Sequence, residues 1–143
     1  MKRLLILLIT VSAILFADTP ERIKAKIIGK VTTSLLGVGV VFIYTDDPSY
    51  KKIFVNEENI VETGFCNDAD LILSSRLERY RSKCPPTPLR LYFATDYSDY
   101  MKNRDVAVGA FFWQKGRPNL ILNEKVLKRL RIELPAEFDS YIE

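Results

Sequence analysis

The chain has 143 residues, 48% of them hydrophobic and 27% charged, with a formal net charge of +3. That is chain enough for one domain, and it excludes collagen-like, repeat-built and disordered architectures. No histidine occurs, which removes the commonest general base, the commonest metal ligand and the usual near-neutral pH switch together.

Met1, Lys2 and Arg3 make a short positive start, and Leu4 to Ala17 then runs 14 residues with only Thr10 and Ser12 polar. A bilayer span takes about 20 apolar residues. The run has the length and layout of an export signal, with cleavage expected after Ala17. An uncleaved membrane anchor is the alternative. The expected organisation is a signal peptide over 1–17 and one domain over 18–143, exported to the periplasm. Losing Lys2 and Arg3 leaves 19 basic against 18 acidic residues, so no electrostatic footprint for nucleic acid remains.

Thr19 and Pro20 open a helix, a capping hydroxyl followed by a first-turn proline; Asp18 with Glu21 is the alternative start. Ile23, Ile27, Ile28, Val31 and Leu35 share one face, and Gly37 stops it. Val38 to Thr45 is a β-branched, nearly continuous apolar run, expected to be a strand buried on both faces. Asp46-Asp47-Pro48 ends it. Tyr50 to Val55 reads as a short helix and Ile60 to Phe65 as a short edge strand.

Asp70–Ser74 is the next strand, and Arg76–Lys83 the next helix, with Leu77 and Tyr80 on its apolar side. Pro85, Pro86 and Pro88 form a stiff connector that is neither helix nor central strand. Leu89–Thr95 is a core strand. Asp96 to Arg104 is polar and tyrosine-rich, a loop or a short helix. Val106–Gln114 and Asn119–Leu122 flank Lys115-Gly116-Arg117-Pro118 and read as a hairpin. Asn123 caps a helix over Glu124–Arg131, whose basic residues form a solvated face. Pro135 opens a last short helix ending near Tyr141. Together these predict an α/β three-layer sandwich with a mostly parallel sheet and a C-terminal antiparallel hairpin.

Cys66 and Cys84 are the only cysteines. Export makes a disulfide sustainable, and the strand–helix–strand order brings both to one edge of the sheet. Two readings follow: a structural staple, or a redox-sensitive bond that alters a partner surface. No CxxC and no basic neighbourhood mark a reactive thiol. Two cysteines without histidine do not make a zinc site.

Ile23–Gly37, then Asp68-Ala-Asp-Leu-Ile-Leu-Ser-Ser75, then Val108-Gly-Ala-Phe-Phe-Trp-Gln-Lys-Gly-Arg-Pro-Asn-Leu-Ile-Leu-Asn123 with Leu127 and Leu130, follow one another along the chain. In this succession the sequence resembles the YfiR-type periplasmic proteins. The resemblance lies in the leading helix, the second core strand with its turn, and the terminal hairpin and helix. It implies a small exported α/β domain that represses a membrane-bound diguanylate cyclase.

In an open α/β sheet, ligands sit beyond the carboxyl ends of the strands. Thr45-Asp46, Ser74-Ser75-Arg76 and Thr95-Asp96 stand at those ends, and three polar clusters there define a possible ligand crevice. Arg76 beside the two serines suits a small anionic ligand, a carboxylate or a phosphate. Ordinary capping and turn chemistry explains the same residues. Asp46 with Asp47, and Asp68 with Asp70, lack EF-hand spacing. Ser74 and Ser75 lack GxSxG and a histidine, so a catalytic triad is excluded. No P-loop or GxGxxG occurs, and no cofactor is implied.

Phe111, Phe112 and Trp113 put an aromatic on both faces of one strand. Trp113 with Lys115 and Arg117 fits a partner surface, where Trp and Arg are enriched; burial under a second helix is the alternative. The expected function is a non-enzymatic regulatory or adaptor domain that binds a membrane or periplasmic protein. The alternative is a solute-binding module resembling one lobe of a periplasmic binding protein. An enzyme would have only carboxylates or tyrosines to work with.

Overall fold

The computed structural model describes residues 20–143. The expected signal over 1–17 and the caps at Asp18 and Thr19 lie outside the described residues. Six strands, β1 (Val41–Thr45), β2 (Ile60–Glu62), β3 (Leu71–Ser74), β4 (Leu91–Ala94), β5 (Ala107–Gln114) and β6 (Arg117–Leu122), form one sheet in the order β2-β1-β3-β4-β5-β6. Every pairing is parallel except β5 with β6. The α/β class, the mostly parallel sheet and the C-terminal hairpin are therefore as the sequence predicts.

Helix α1 spans Pro20–Leu36. Ile28, Val31 and Leu35 recur at helical spacing and are buried against the sheet. Gly37 takes a positive φ of 64°, and the Val38 N–H reaches back to Thr33 O at 3.2 Å, which closes the helix. Strand β1 is Val41–Thr45 and starts later than expected. Val38 and Val40 are exposed, and Phe42 is 44% exposed. So β1 is not buried on both faces. On Phe42's side Tyr44 is covered by Tyr80, ring centroids 5.4 Å apart, while Phe42 stays open.

Asp47 caps helix α2, Pro48–Phe54, by accepting from the Ser49 N–H. Strand β2, Ile60–Glu62, is the edge. Strand β3 is Leu71–Ser74 and β4 is Leu91–Ala94, and all eight of their residues are buried. The expected helix over Arg76–Lys83 is a single 3-10 turn, Leu77–Tyr80. Its two apolar anchors are three residues apart, which is the 3-10 repeat, and Pro85-Pro86 bars any continuation.

Asp96 caps the short helix α3, Tyr97–Lys102, so the open tyrosine-rich segment is helical. Strands β5, Ala107–Gln114, and β6, Arg117–Leu122, are joined by Lys115-Gly116 alone. Both turn residues have positive φ, 52° and 72°, the primed hairpin turn whose twist matches the strands. Arg117 and Pro118 therefore belong to β6 rather than to the turn. Edge position tolerates the proline. Asn123 caps helix α4, Glu124–Arg129, and a 3-10 segment over Ala136–Tyr141 replaces the expected last helix.

The helices α1, α2 and α4 cover one face of the sheet, with Ile43, Leu73, Phe93 and Phe111 inside. The 3-10 turn and α3 cover the other, over Ile72, Tyr92 and Ala110. Along β4 and β5 the register slips by one residue between Tyr92 and Phe93, with Ala107 and Gly109 as their partners. At Gly109 a side chain has no room, because a Cβ would lie 2.5 Å from Ile121 O. Among the described residues no helix is long and apolar enough to cross a membrane.

Candidate functional site at the carboxyl end of the sheet

The parallel order reverses between β1 and β3: β2 lies on one side of β1 and β3 on the other. Beyond that point the strand ends cannot be covered by both crossovers, so a crevice opens. Thr45 and Ser74 close β1 and β3 there, but both are 0% exposed and serve the turn. The Asp47 N–H donates to Thr45 Oγ1 at 3.2 Å. The Arg76 N–H donates to Ser74 Oγ at 2.9 Å. Ser74 Oγ and the Tyr80 hydroxyl donate to Asp46 Oδ2 at 3.0 Å and 2.7 Å. Burial first, and then the Asp46 hydrogen bond, push the Tyr80 phenol far above its ordinary pKa, so it stays a donor. Capping and turn chemistry thus account for Thr45, Asp46 and Ser74.

What faces solvent is a cleft of about 360 Å³ lined by Asp46, Asp47, Pro48, Ser75, Arg76 and Arg79. Arg76 immediately precedes the 3-10 turn and Arg79 lies within it, three residues on. Neither guanidinium pairs with another described residue, whereas the sequence singled out Arg76 alone.

Thr95 and Asp96 do not share that cleft. They line a second one, of about 400 Å³, with Lys24, Asp47, Tyr50, Tyr97 and the β5 residues Phe111, Phe112, Trp113 and Gln114. The three expected clusters are therefore split between two clefts that meet at Asp47. The second exists because β5 outruns its neighbour. Pairing with β4 stops at Ala94–Ala110, while pairing with β6 continues to Gln114–Arg117. The hairpin projects past the sheet and forms one wall.

On that wall Phe112 packs against Tyr97, ring centroids 5.6 Å apart. Trp113 is 45% exposed and Tyr97 49%. Lys115 and Arg117 at the tip are exposed as well. Opposite, Lys24 Nζ lies 3.9 Å from the centre of the Tyr50 ring. Partial burial lowers the Lys24 pKa, while nearby Asp47 and Glu21 act to raise it. The sequence carried a signal for Lys24 that composition hides: Lys24, Ile28, Val31 and Leu35 lie on one helical stripe, so the lysine heads a buried face.

Cys66 and Cys84 are joined in a disulfide, Cα atoms 6.1 Å apart. Both precede their strands, β3 and β4, so the bond lies at the amino end of the sheet, away from both clefts. Among the described residues no group of three acidic or cysteine side chains could hold a metal ion. Comparison of the chain with protein-family models, with curated proteins and with solved structures found no match.

Proposed function

We propose that this chain is an exported, non-enzymatic regulatory or adaptor domain of the YfiR type, which docks on a membrane or periplasmic protein such as a membrane-bound diguanylate cyclase. The observation that carries the reading is the β5–β6 hairpin. It stands beyond the sheet with Trp113 exposed and with Lys115 and Arg117 at its tip pairing with no described side chain. Large rigid aromatics beside arginine are the usual anchors of protein interfaces, and a soluble surface gains nothing from leaving them bare. The apolar run before Pro20 and the disulfide support export. The absence of histidine and of any nucleophile motif supports a binding role.

The test is a crosslinked pull-down from the periplasm using the tagged chain and its Trp113→Ala and Arg117→Glu variants. Recovery of a membrane signalling protein by the parent chain, lost in both variants, is the expected result. Equal recovery by all three would remove the hairpin from the account.

A second reading rests on Arg76 and Arg79. Two guanidiniums that pair with no described side chain, at the mouth of the β1–β3 crevice, suit a small carboxylate or phosphate ligand. Calorimetry with inorganic phosphate and with citrate, on the parent chain and on Arg76→Ala, discriminates it from docking alone.

A further inference from the structure

We infer that the notch beside the hairpin takes an extended, acid-bearing peptide segment of the partner as an added strand along β5. The inference rests on the docking reading above and deepens it.

The first observation is an open strand edge. Gln114 and Arg117 flank a two-residue turn, so they form a narrow hydrogen-bonded pair. Alternation then turns the backbone groups of Phe112 toward β6 and those of Trp113 away from it. On that side β4 has already ended, its last partner being Ala110. The Trp113 N–H and C=O point into the 400 Å³ cleft with no strand alongside. Open edges of this kind are templates for strand addition.

The second observation is what the two faces of the notch present. An entering strand sends alternate side chains to opposite faces. On one face they meet Phe111, Trp113, Tyr50 and the Lys24 amine; on the other, Tyr97 and Phe112. The site's carboxylates are already engaged: Asp47 accepts from the Ser49 N–H at 2.9 Å and Asp96 from the Asp99 N–H at 2.9 Å, both as helix caps. Lys24 lies against the Tyr50 ring with Asp47 and Glu21 nearby, and makes no ion pair with either; Lys115 and Arg117 at the rim pair with no other described side chain, so the rim is left with two uncompensated positive charges. Charge complementarity therefore selects a segment with an acidic residue among apolar or aromatic ones.

The chain supplies its own reporter, since Trp113 is its single tryptophan. Random octapeptides displayed on phage are panned against the whole exported chain, and the enriched peptides are titrated while Trp113 fluorescence is read. The expected result is an enriched set bearing Asp or Glu between apolar residues. Replacing that acid by Lys weakens binding tenfold or more, and so does N-methylating alternate backbone amides, which removes ladder donors and leaves side chains intact. Lys24→Met is expected to remove the preference for the acid while the N-methylation effect survives. Enrichment of basic peptides, indifference to N-methylation, or no enrichment would each overturn the inference. If the pull-down partner is still recovered through Trp113 and Arg117 in any of those cases, the docking reading stands and only the strand-addition mode is lost.

Discussion

At the amino end of the sheet, a set of charged and polar side chains is tied into the fold. Arg81 grips Asp105 with two nitrogens, at 2.9 Å and 2.6 Å, and reaches Asn103 Oδ1 as well. Arg90 donates to Asn67 O at 2.9 Å, and the Tyr92 hydroxyl to Cys84 O at 2.7 Å. Asn123 Nδ2 bonds two carbonyls, of Arg104 and Ala107, while its Oδ1 caps α4. The disulfide closes the same region. At the carboxyl end, Arg76, Arg79, Lys115 and Arg117 pair with no described side chain, and Trp113 and Tyr97 are each about half exposed. One end spends its chemistry on holding the fold, and the other keeps its chemistry available. The difference teaches where to look for function: in side chains with capacity left over, not in those with the most contacts.

That contrast is open to breakage. The largest effect should come from the staple. Cys66→Ser with Cys84→Ser is expected to cost about 3 kcal/mol of unfolding free energy, read from urea denaturation of the oxidised parent and the variant. Capture of the partner through Trp113 is expected to be unchanged, because the bond lies at the other end. Loss of capture in a folded variant would turn the staple into a switch.

Asn123→Ala comes next. It removes the side-chain donor from the buried Ala107 carbonyl and the part-buried Arg104 carbonyl and uncaps α4, at about 2 kcal/mol, measurable in the same titration.

A smaller, pH-dependent effect belongs to Asp105. The Arg81 hydrogen bond, opposed by partial burial, holds its carboxyl below the ordinary value of 3.8. The folded pKa lies under the unfolded one, so this contribution is fully present above the unfolded value and is lost as pH falls through the folded one. Asp105→Asn should flatten the acid limb of the stability curve, with its largest loss against the parent at neutral pH and the two curves converging in acid. Asp99 runs the other way: burial raises its pKa, so its contribution shrinks as pH rises through the folded value. An unchanged acid limb in Asp105→Asn would contradict the assignment.

The smallest effects are expected at the carboxyl end. Arg76→Ala and Arg79→Ala should change stability by no more than about 0.5 kcal/mol, because exposed, unpaired groups contribute little. A larger loss would mean that these cations, too, hold the fold.

Long-range architecture was legible where the signal was periodic or covalent. The α1 stripe from Ile28 to Leu35, the end of β1 at Thr45, the hairpin glycine, the Asn123 cap and the two cysteines read correctly from local chemistry, whereas Ile23 and the outer face of β1 at Phe42 are exposed where burial was expected. The helix over Arg76–Lys83 did not. Its apolar pair, Leu77 and Tyr80, fits a 3-10 turn as well as an α-turn, and only the packing of α3 and the prolines decides between them. The single crevice failed for a different reason. Nothing in the sequence says that β5 outlasts β4 by four residues, and that overhang divides the clefts. Lys24 was missed because a lysine on an apolar stripe looks like an ordinary helix charge until Tyr50 and Asp47 are seen beside it.

The central claim, that the carboxyl end is the docking end, is tested most directly by a photocrosslinker scan in the periplasm. A photoreactive residue is introduced at Gln114 or Lys115, and in separate strains at Lys83 or Leu89 at the amino end. The account predicts a discrete adduct with one membrane signalling protein from the first pair and none from the second. An adduct from Lys83 or Leu89, with none from the hairpin, would contradict it.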